Sequence, residues 1–530
     1  MQLVALRPEE CTGCRTCELV CALSNYRENN PAMAAVRVRG LFPAPGHYQL
    51  HLCDQCGECA RVCPTGAIYQ RDDGVYLIDP ESCTGCNACV DGCPLGVMFT
   101  HESMEVPIKC NACGECVTYC PKGVLAMDGR TKDAETGVRG DAETRGCGDA
   151  GKAELPERWA RALDGPRAEG LLPGFGGKIL RVNLSTGAIT KEPLSPEMAR
   201  DYIGGRGFAA RILYDEVPAD ADPLGPENKV VVASGMLSGT LVPAAGKVTF
   251  AAKSPASGGY GDSNMGGHVA AEMKYAGYDA IILEGVAERP CYLYIKDEAV
   301  EIRDAGLLWG KGALETETAL KQELGEEFQI STIGPAGENR VVFACVSHDF
   351  GRQAGRTGVG AVLGSKRVKA IAIRGTGPIP LADVDRVLSI GKEMFRASFA
   401  APNLKEWQRY GTAQVVPWSN SIGSFPTRNF QSGYLDGHES LSHEIMRRDI
   451  VINDKACFSC PMACGKYSHT KKEGYDAYVE GPEYETTTLI GGNCAITDMR
   501  DVAYANYLCD ELGLDTISAG GAVAFAMECF

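Results

Sequence analysis

Apolar and polar positions divide the chain into three parts of different character. Residues 1–125 carry cysteines at short, regular intervals. Residues 126–172 are polar, rich in glycine and alanine, and have no sustained apolar period, which predicts a linker with one short helix near residues 156–163 and a spare thiol at Cys147. From residue 173 onward, short apolar runs and longer amphipathic segments are typical of a globular α/β protein.

The third part begins with strand patterns and ends with helical ones. A turn at residues 185–187 joins the first two predicted strands into a hairpin. Strands are predicted at residues 178–183, 188–192, 229–233, 247–252, 279–284, 292–296, 329–333 and 368–374. Helices are predicted near residues 314–324 and throughout the region beyond residue 384, most clearly at 501–512 and 519–529. We therefore expect an α+β multidomain protein, with a β-sheet-rich domain over residues 173–380 and a mainly α-helical domain over residues 381–530.

Charge and composition narrow the class of protein. With 52 basic and 68 acidic residues the net charge is −16, which argues against nucleic acid as the main partner. No apolar run approaches the roughly 20 residues that a membrane span needs. The first residues show neither a basic segment followed by an apolar one nor a twin arginine. We therefore expect a cytoplasmic protein whose thiols stay reduced and free to bind metal.

Sixteen of the 25 cysteines form four repeats of the spacing Cys-x2-Cys-x2-Cys-x3-Cys. Three thiolates at this spacing hold one [4Fe–4S] cluster, and the fourth cysteine reaches a neighbouring cluster. Zinc sites use isolated cysteine pairs and usually need only four ligands, so they do not explain the pattern. We therefore predict an N-terminal ferredoxin-like domain with four [4Fe–4S] clusters. The predicted ligands are Cys11, Cys14, Cys17, Cys21, Cys53, Cys56, Cys59, Cys63, Cys83, Cys86, Cys89, Cys93, Cys110, Cys113, Cys116 and Cys120.

The repeated segment resembles the four-cluster electron-transfer subunits of the dimethyl sulfoxide reductase and formate-hydrogenlyase type. That resemblance implies that the two outer runs pair with each other and that the two inner runs do the same. Cys120 and Cys21 would then complete the clusters of the first and last runs. Cys93 and Cys63 would complete those of the second and third. Spacing alone leaves other pairings open.

A series of glycine-rich and acidic motifs follows in the second half. They lie at residues 178–187, 203–207, 263–267, 333–338, 355–360, 481–485 and 510–518. Over about residues 174–530 the chain thereby resembles the tungsten-containing aldehyde ferredoxin oxidoreductases. Family members continue well beyond the last motif, so we expect this chain to be a fragment or one half of a split gene. A separate polypeptide would then carry the missing part, with a second Asp-x-x-Gly-Leu motif, a fourth cluster ligand and an active-site histidine.

A fifth cluster is expected near the centre of the second half. Cys457, Cys460 and Cys464 form a three-thiolate constellation. By resemblance these three bind a [4Fe–4S] cluster beside the pterin, with the fourth ligand missing from this chain. The spare cysteines Cys494, Cys509 and Cys529 do not stand at the family's ligand position.

The resemblance also implies a set of residues that hold a tungsten or molybdenum bis-pterin cofactor, and a magnesium ion is a further candidate. On the residues alone, the glycine-rich loops are weak signals that ordinary turns also explain. The Asp510–Asp515 motif could equally be a helix-ending turn before a Thr516 or Ser518 cap. The implied cofactor residues are Asn264, Gly266, Arg352, Gln353, Gly355, Asp510, Asp515 and, where the family has an arginine, Lys247.

Two acidic residues in one short motif are the candidates for the chemistry. Glu485 matches the family's active-site glutamate, and Glu483 is the alternative. Tyr504 and Tyr507 occupy the positions where some members hold a bridging metal, so no such metal is expected here. His268 and His348 lie near the cofactor loops but are interpreted as core or surface histidines.

The implied reaction is the oxidation of an aldehyde with water to a carboxylic acid, or its reverse. Its electrons would pass through the Cys457–Cys464 cluster and the four N-terminal clusters to a ferredoxin or to a flavoprotein or NAD-reducing subunit. One alternative is a benzoyl-CoA-reductase-type member of the same superfamily, which reduces an aromatic thioester. Another is a non-catalytic electron-transfer polyferredoxin.

Overall fold

The computed structural model describes residues 2–41, 46–128 and 172–530. The predicted short helix near residues 156–163 and Cys147 lie outside the described residues, as does the predicted linker apart from its first three residues and its last. None of the described helices is long and apolar enough to cross a membrane.

Each cysteine run of the N-terminal region enters a helix in the same way. The residue before the helix takes a left-handed backbone conformation, with φ of 57° at Arg15, 82° at Gly57, 60° at Asn87 and 79° at Gly114. The third cysteine of each run is then the second residue of the helix. The sharp turn brings the three thiols of a run to one side of the chain. These helices are Thr16–Tyr26, Glu58–Arg61, Ala88–Asp91 and Glu115–Thr118.

Short antiparallel strand pairs close this region. Strands β1 (Leu3–Ala5) and β6 (Leu125–Met127) bring its two ends together. The other pairs are β2 (Arg37–Gly40) with β3 (Tyr48–His51), and β4 (Ile68–Gln70) with β5 (Tyr76–Ile78). Residues 126 and 127, predicted as the start of the linker, are therefore part of a strand.

Two six-stranded sheets form the next part of the described chain. The first has the order β11-β10-β9-β12-β7-β8, and the second has the order β14-β13-β18-β15-β16-β17. Their strands are β7 (Lys178–Asn183), β8 (Ala188–Pro193), β9 (Val230–Ser234), β10 (Val248–Lys253), β11 (Tyr260–Met265), β12 (Tyr278–Glu284), β13 (Cys291–Lys296), β14 (Ala299–Asp304), β15 (Gln329–Thr332), β16 (Val346–His348), β17 (Arg352–Ala354) and β18 (Val368–Arg374).

The two sheets are built to one plan. In each sheet, the first two strands form a hairpin, the third strand follows, and the fourth and fifth strands pair with each other. A helix then leads to the sixth strand, which lies parallel to the first. The equivalent helices Val269–Tyr275 and Val359–Ser365 precede those last strands and are buried along their length. One apolar core of valine, leucine, isoleucine and methionine side chains spans both sheets. The edge strands β11 and β17 consequently occupy equivalent positions.

Helices dominate the remainder, as the apolar periodicity predicts. The longer described helices outside the cysteine runs are Pro196–Tyr202, Arg206–Glu216, Ala313–Leu324, Val384–Ala400, Leu404–Tyr410, Val415–Ser421, His443–Asp449, Met499–Leu512 and Thr516–Cys529. Two shorter helical turns are Pro335–Glu338 and Tyr484–Thr486, the latter continued by a π-helical turn at Thr487–Gly492.

The predicted helical region also contains a sheet that the pattern did not indicate. Strands β19 (Val451–Lys455), β20 (Gly465–Lys472) and β21 (Tyr475–Glu480) are antiparallel neighbours. Their alternation is masked because buried lysines replace apolar residues: Lys455 and Lys466 are 1% and 3% exposed. The loop between β19 and β20 carries Cys457, Cys460 and Cys464.

The N-terminal region packs against the sheet domain through an apolar core and a buried ion network. Leu19 and Tyr119 share one core with Tyr275, Phe395 and Phe458. Beside it, the buried Glu272 carboxylate pairs with Arg374 at 2.6 Å and with Arg15 at 3.4 Å, and Arg15 pairs with Glu18 at 2.7 Å. These contacts hold the first cysteine run against the helix Val269–Tyr275.

Candidate cofactor sites

Cysteines from different runs line common cavities. One cavity is lined by Cys11, Cys14, Cys17 and Cys120. A second is lined by Cys110, Cys113, Cys116 and Cys21. A third is lined by Cys83, Cys86, Cys89 and Cys63. Three runs are thus brought together with the partner cysteine that the resemblance implies.

The second run completes the pattern less directly. Burial and the neighbouring Cys53 and Cys56 raise the pKa of the Cys59 thiol, and Cys59 and Cys93 belong to one apolar cluster. The Cys93 sulfur also accepts a hydrogen bond from the backbone N–H of Val97, with 3.5 Å between sulfur and nitrogen. The ligand set of this fourth group stays a prediction.

The buried thiols suit metal binding. Burial, with a smaller contribution from neighbouring thiols, raises the pKa of Cys11, Cys110 and Cys460 to about 12. Thiolates grouped in this way are unfavourable unless a cation neutralises them, which iron does on binding. The donor set therefore fits [4Fe–4S] clusters.

Cys457, Cys460 and Cys464, called here the Cys457 group, lie beside the glycine-rich loop of the first sheet. A Cβ atom at Gly266 would lie 2.8 Å from the Cys457 sulfur, so only glycine allows this approach. Arg352 of strand β17 reaches the same place, with its Nη2 3.2 Å from Glu480 Oε1 and its Nη1 4.0 Å from Glu483 Oε1. Arg352 Nε and Nη2 make no hydrogen bond within the described residues.

The two glycine-rich loops face each other across the edges of the two sheets. The Ser263 hydroxyl donates to the Gly355 carbonyl and lies 2.9 Å from the Thr357 hydroxyl oxygen. A Cβ atom at Gly355 would lie 2.8 Å from Asp515 Oδ1. Equivalent halves thus present equivalent loops, an arrangement suited to a cofactor with two similar arms.

Asp510 is the most deeply buried of the predicted cofactor residues. Its Oδ1 accepts a hydrogen bond from Gln353 Nε2 at 2.9 Å, and its Oδ2 accepts one from Asn506 Nδ2 at 2.8 Å. Burial, reinforced by Glu480 and Glu511, raises the pKa of Asp510 well above its usual range. The Cys345 thiol donates to Gln353 Oε1 and so fixes the direction of that amide.

Three further predicted cofactor residues lie nearer the edge of the site than Asp510 does: Asp515, Asn264 and Lys247. Asp515 Oδ2 accepts the backbone N–H of Ser518 at 2.8 Å and caps the helix Thr516–Cys529. The alternative with a Thr516 or Ser518 cap is therefore wrong about the capping residue, because the Asp515 carboxylate reaches the free N–H groups at the start of the helix. Asn264 bonds to Thr249 and Asp262 beside the loop, whereas the Lys247 side chain is exposed.

The two candidate glutamates differ in their surroundings. Glu483 accepts a hydrogen bond from the Thr412 hydroxyl and lies near Arg352. Burial, reinforced by Glu480, raises the pKa of Glu483, while Arg352 and Thr412 act in the opposite direction. Glu485 follows on the helical turn Tyr484–Thr486 and is exposed. Of the two, Glu483 lies closer to the cysteine group.

His268, His348 and Asp349 lie close enough together to suggest a metal site. However, both ring nitrogens of His348 are engaged in hydrogen bonds, so neither is free to bind a metal ion. His348 Nδ1 lies 3.0 Å from the Ile330 carbonyl oxygen, and its Nε2 accepts the backbone N–H of His268 at 3.1 Å. Burial lowers the pKa of His348 to about 3, so the ring is neutral. Both histidines are buried, and His348 is a core residue of this network.

The Cys457 loop touches the first cysteine run directly. The Ser459 N–H donates to the Cys14 carbonyl at 2.9 Å, and the Ala456 N–H donates to the Thr12 carbonyl at 3.0 Å. Cys14 packs in one apolar cluster with Ala456 and Ala463. The groups of cysteines that line the three cavities are named here by their first member from the run of three: the Cys11, Cys110 and Cys83 groups. The Cys11 group is therefore the neighbour of the Cys457 group.

Sequence reasoning missed several members of the site. Glu480, Thr412 and Asn506 contact predicted site residues but belong to no motif that the residues alone single out. The sequence offers no signal for Glu480, whose place in the site follows from its position at the end of β21 beside Arg352.

Comparisons with known proteins match this architecture. The family model for the aldehyde ferredoxin oxidoreductase N-terminal domain matches residues 179–375, and the model for domains 2 and 3 of that family matches residues 389–530. Models of 4Fe-4S dicluster domains match residues 10–68, 52–97 and 75–121.

Similar proteins include a tungsten-containing aldehyde ferredoxin oxidoreductase of Thermococcus kodakarensis, 45% identical over 67% of this chain and 59% of the relative. The WOR-like subunit of an aliphatic sulfonate oxidoreductase from Pyrococcus furiosus is 33% identical over the same shares. The polyferredoxin-like subunit of the aliphatic sulfonate oxidoreductase from that organism is 34% identical over 15% of this chain and 47% of the subunit.

Among solved structures, the active site complex BamBC of benzoyl coenzyme A reductase, determined with 1,5-dienoyl-CoA, superposes with a TM-score of 0.58 at 30% identity. The match covers 67% of this chain and 56% of that chain. The chain spans 59% of the length of the curated relatives that it matches first. With the region C-terminal to its 4Fe-4S dicluster domains, the chain belongs to the aldehyde ferredoxin oxidoreductase family.

Proposed function

We propose that this protein oxidises aldehydes to carboxylic acids at a tungsten bis-pterin centre and passes the electrons through its iron–sulfur clusters. The main observation in its support is that two equivalent glycine-rich loops, Arg352 and the Cys457 group lie next to one another. Arg352 supports it further: apart from its ion pair with Glu480, its buried Nε and Nη2 make no hydrogen bond within the described residues, and such N–H groups suit an anionic group.

The residues of the site have distinct proposed roles. Gly266 and Gly355 let the backbone approach a phosphate-bearing cofactor closely, and Arg352 offers its unused N–H groups to it. Asp510 and Asp515 would accept hydrogen bonds from pterin N–H groups. When bound, the tungsten centre supplies the two-electron oxidation of the aldehyde. Cys457, Cys460 and Cys464 hold the neighbouring cluster.

The proton chemistry falls to a glutamate. Aldehyde and water give a carboxylic acid, two electrons and two protons, so a base near the reacting carbon is needed. Glu483 is held by Thr412 and stands near Arg352, and Glu485 follows two residues later. We assign the base to this pair, with Glu483 the better placed beside the cysteine group.

The electrons leave in single steps along a fixed order of clusters. The Cys457 group borders the Cys11 group through the Ser459–Cys14 hydrogen bond. The Cys11 and Cys110 groups share the first and last runs, and Cys110 in turn lies near Cys53. The Cys83 group is therefore the farthest from the site, and it would meet an external ferredoxin or flavoprotein. Exposed Cys86 suits that position.

A second candidate substrate class is an aliphatic sulfonate. Both halves of this chain match subunits of aliphatic sulfonate oxidoreductase, the WOR-like subunit and the polyferredoxin-like subunit. The higher identity to the aldehyde enzyme, 45% against 33%, favours aldehydes.

The test is a substrate comparison on the holoenzyme, together with any separate polypeptide that completes the family domain, purified anaerobically from cells supplied with tungstate. Viologen reduction is measured with a series of aldehydes and a series of aliphatic sulfonates, and tungsten is determined in the same sample. Aldehyde-dependent reduction with tungsten present supports the proposal. Reduction by sulfonates alone favours the second candidate, and tungsten-loaded protein inactive with both overturns the proposal.

A further inference from the structure

Lys109 lies buried between two cysteine runs that belong to different cluster groups. It directly precedes Cys110 and is 9% exposed. Its Nζ lies 2.8 Å from Gln55 Oε1, 3.3 Å from the Cys110 carbonyl oxygen and 3.7 Å from the Cys53 sulfur. No carboxylate pairs with it within the described residues, and the sulfur of Cys53, a predicted cluster ligand, is within its reach.

Gln55 ties the two runs together at the same point. Its Nε2 donates to the Cys110 carbonyl at 3.0 Å, and its Oε1 accepts from Lys109 and from the Tyr76 N–H. The two runs are close together here, because Lys109 Nζ contacts both the Cys53 sulfur and the Cys110 carbonyl oxygen. The junction of the two halves of the N-terminal region is therefore built around one ammonium group.

The charge of Lys109 acts on the second run. Its Nζ lies 3.7 Å from the sulfur of Cys53, the first predicted ligand of that run. A cluster that accepts one electron gains one negative charge. A fixed ammonium group in surroundings of low dielectric constant stabilises that added charge.

We propose that Lys109 is a positioning residue that raises the reduction potential of the cluster on the Cys53 run and so draws electrons across the junction from the Cys110 group. In this step the cluster on the Cys110 run loses one electron and the cluster on the Cys53 run gains it. The inference rests on the proposed function only in requiring that the four runs hold clusters.

A purely structural lysine is the competing explanation, and Lys109→Gln separates the two. Glutamine can still donate a hydrogen bond to Gln55 but carries no charge. Arg71→Gln is the matched control, since it removes one positive charge from an exposed position in the same half, where Arg71 pairs with Asp73. Lys109→Arg retains the charge.

The experiment is a redox titration of the full chain followed by electron paramagnetic resonance, with iron and sulfide determined for every variant. At a fixed potential we expect Lys109→Gln to lower the reduced-to-oxidised ratio of one cluster at least tenfold, which is about 59 mV for one electron. The other signals should stay within the range of the Arg71→Gln control, and Lys109→Arg should remain close to the parent.

Two results would overturn the inference. One is a Lys109→Gln variant with full iron content whose titration matches the control. The other is an equal shift of all clusters, which would indicate a change of fold rather than a local charge effect. If parent protein holds fewer than four N-terminal clusters, the proposed function fails first, and iron analysis detects that separately.

Discussion

Ser459 donates its backbone N–H to the carbonyl oxygen of Cys14 across 2.9 Å. The two residues are far apart in the chain, yet each lies within a cysteine motif, and the hydrogen bond joins the motif loops directly. Under the proposed function, this contact is where electrons would pass from the family domain to the N-terminal region. Everything that holds these loops together should matter for electron transfer.

Glu272 is the central acid of the ion network beside that junction. Glu272→Gln leaves Arg374 and Arg15 without their shared carboxylate, and breaking such a buried pair costs about 3 kcal/mol or more. We expect a lower urea midpoint for loss of the N-terminal cluster absorbance and slower reduction of these clusters by substrate. Glu298→Gln is the control, because Glu298 is 63% exposed in its pairs with Lys178 and Lys191. Equal effects of the two changes would show that the network does not hold the junction.

Asp510→Asn tests the pterin assignment. The change keeps the shape but reverses one hydrogen-bonding group, so the contact with Gln353 or Asn506 is lost and pterin N–H groups lose an acceptor. We expect tungsten content to fall about tenfold or more, while the iron of the N-terminal clusters is retained. Asp501→Asn, on the same helix but paired with Lys472 and Tyr475, should retain tungsten. Full tungsten in Asp510→Asn would remove Asp510 from the cofactor site.

Glu483→Gln and Glu485→Gln decide which carboxylate serves as base. Loss of a general base typically lowers turnover about 10²-fold or more. We expect that loss for Glu483→Gln, with tungsten and iron contents unchanged, and a smaller loss for Glu485→Gln. A large loss confined to Glu485→Gln would transfer the role to Glu485, and near-normal turnover in both would place the base elsewhere.

His348 should make stability depend on pH. Burial lowers the pKa of His348 to about 3, against about 6.5 for an unfolded histidine. Its stabilising contribution is therefore complete above pH 6.5 and is lost as the pH falls toward 3, because only the unfolded chain takes up the proton. The expected slope from this group is about 1.4 kcal/mol per pH unit. His348→Gln should show a shallower fall of the urea midpoint between pH 6.5 and 5.5, and identical slopes would contradict the neutral core histidine.

Local signals allowed much of the fold to be predicted. The strands β7 and β18 begin and end where the apolar pattern indicates, and the repeated cysteine spacing corresponds to a repeated turn and helix. Strand β11 was missed because its residues are largely polar, with alternate side chains exposed. The sheet around Cys457 was missed because buried lysines hide its alternation.

The relative placement of the sites could not be predicted from the sequence. The Ser459–Cys14 hydrogen bond and the Lys109–Cys53 contact join residues that no local period connects. Glu480 is likewise recognised only when the strand β21 brings it beside Arg352. Long-range packing, rather than motif spacing, decides these relationships.

The central claim is that aldehyde oxidation at the family domain reduces the N-terminal clusters within the same protein. Its most direct test is anaerobic addition of an aldehyde to the tungsten-loaded protein, followed by electron paramagnetic resonance and by analysis of the carboxylic acid. The account predicts that reduced cluster signals appear together with the acid, at two electrons per acid formed. If dithionite reduces the clusters but aldehyde neither reduces them nor yields acid, the claim is contradicted.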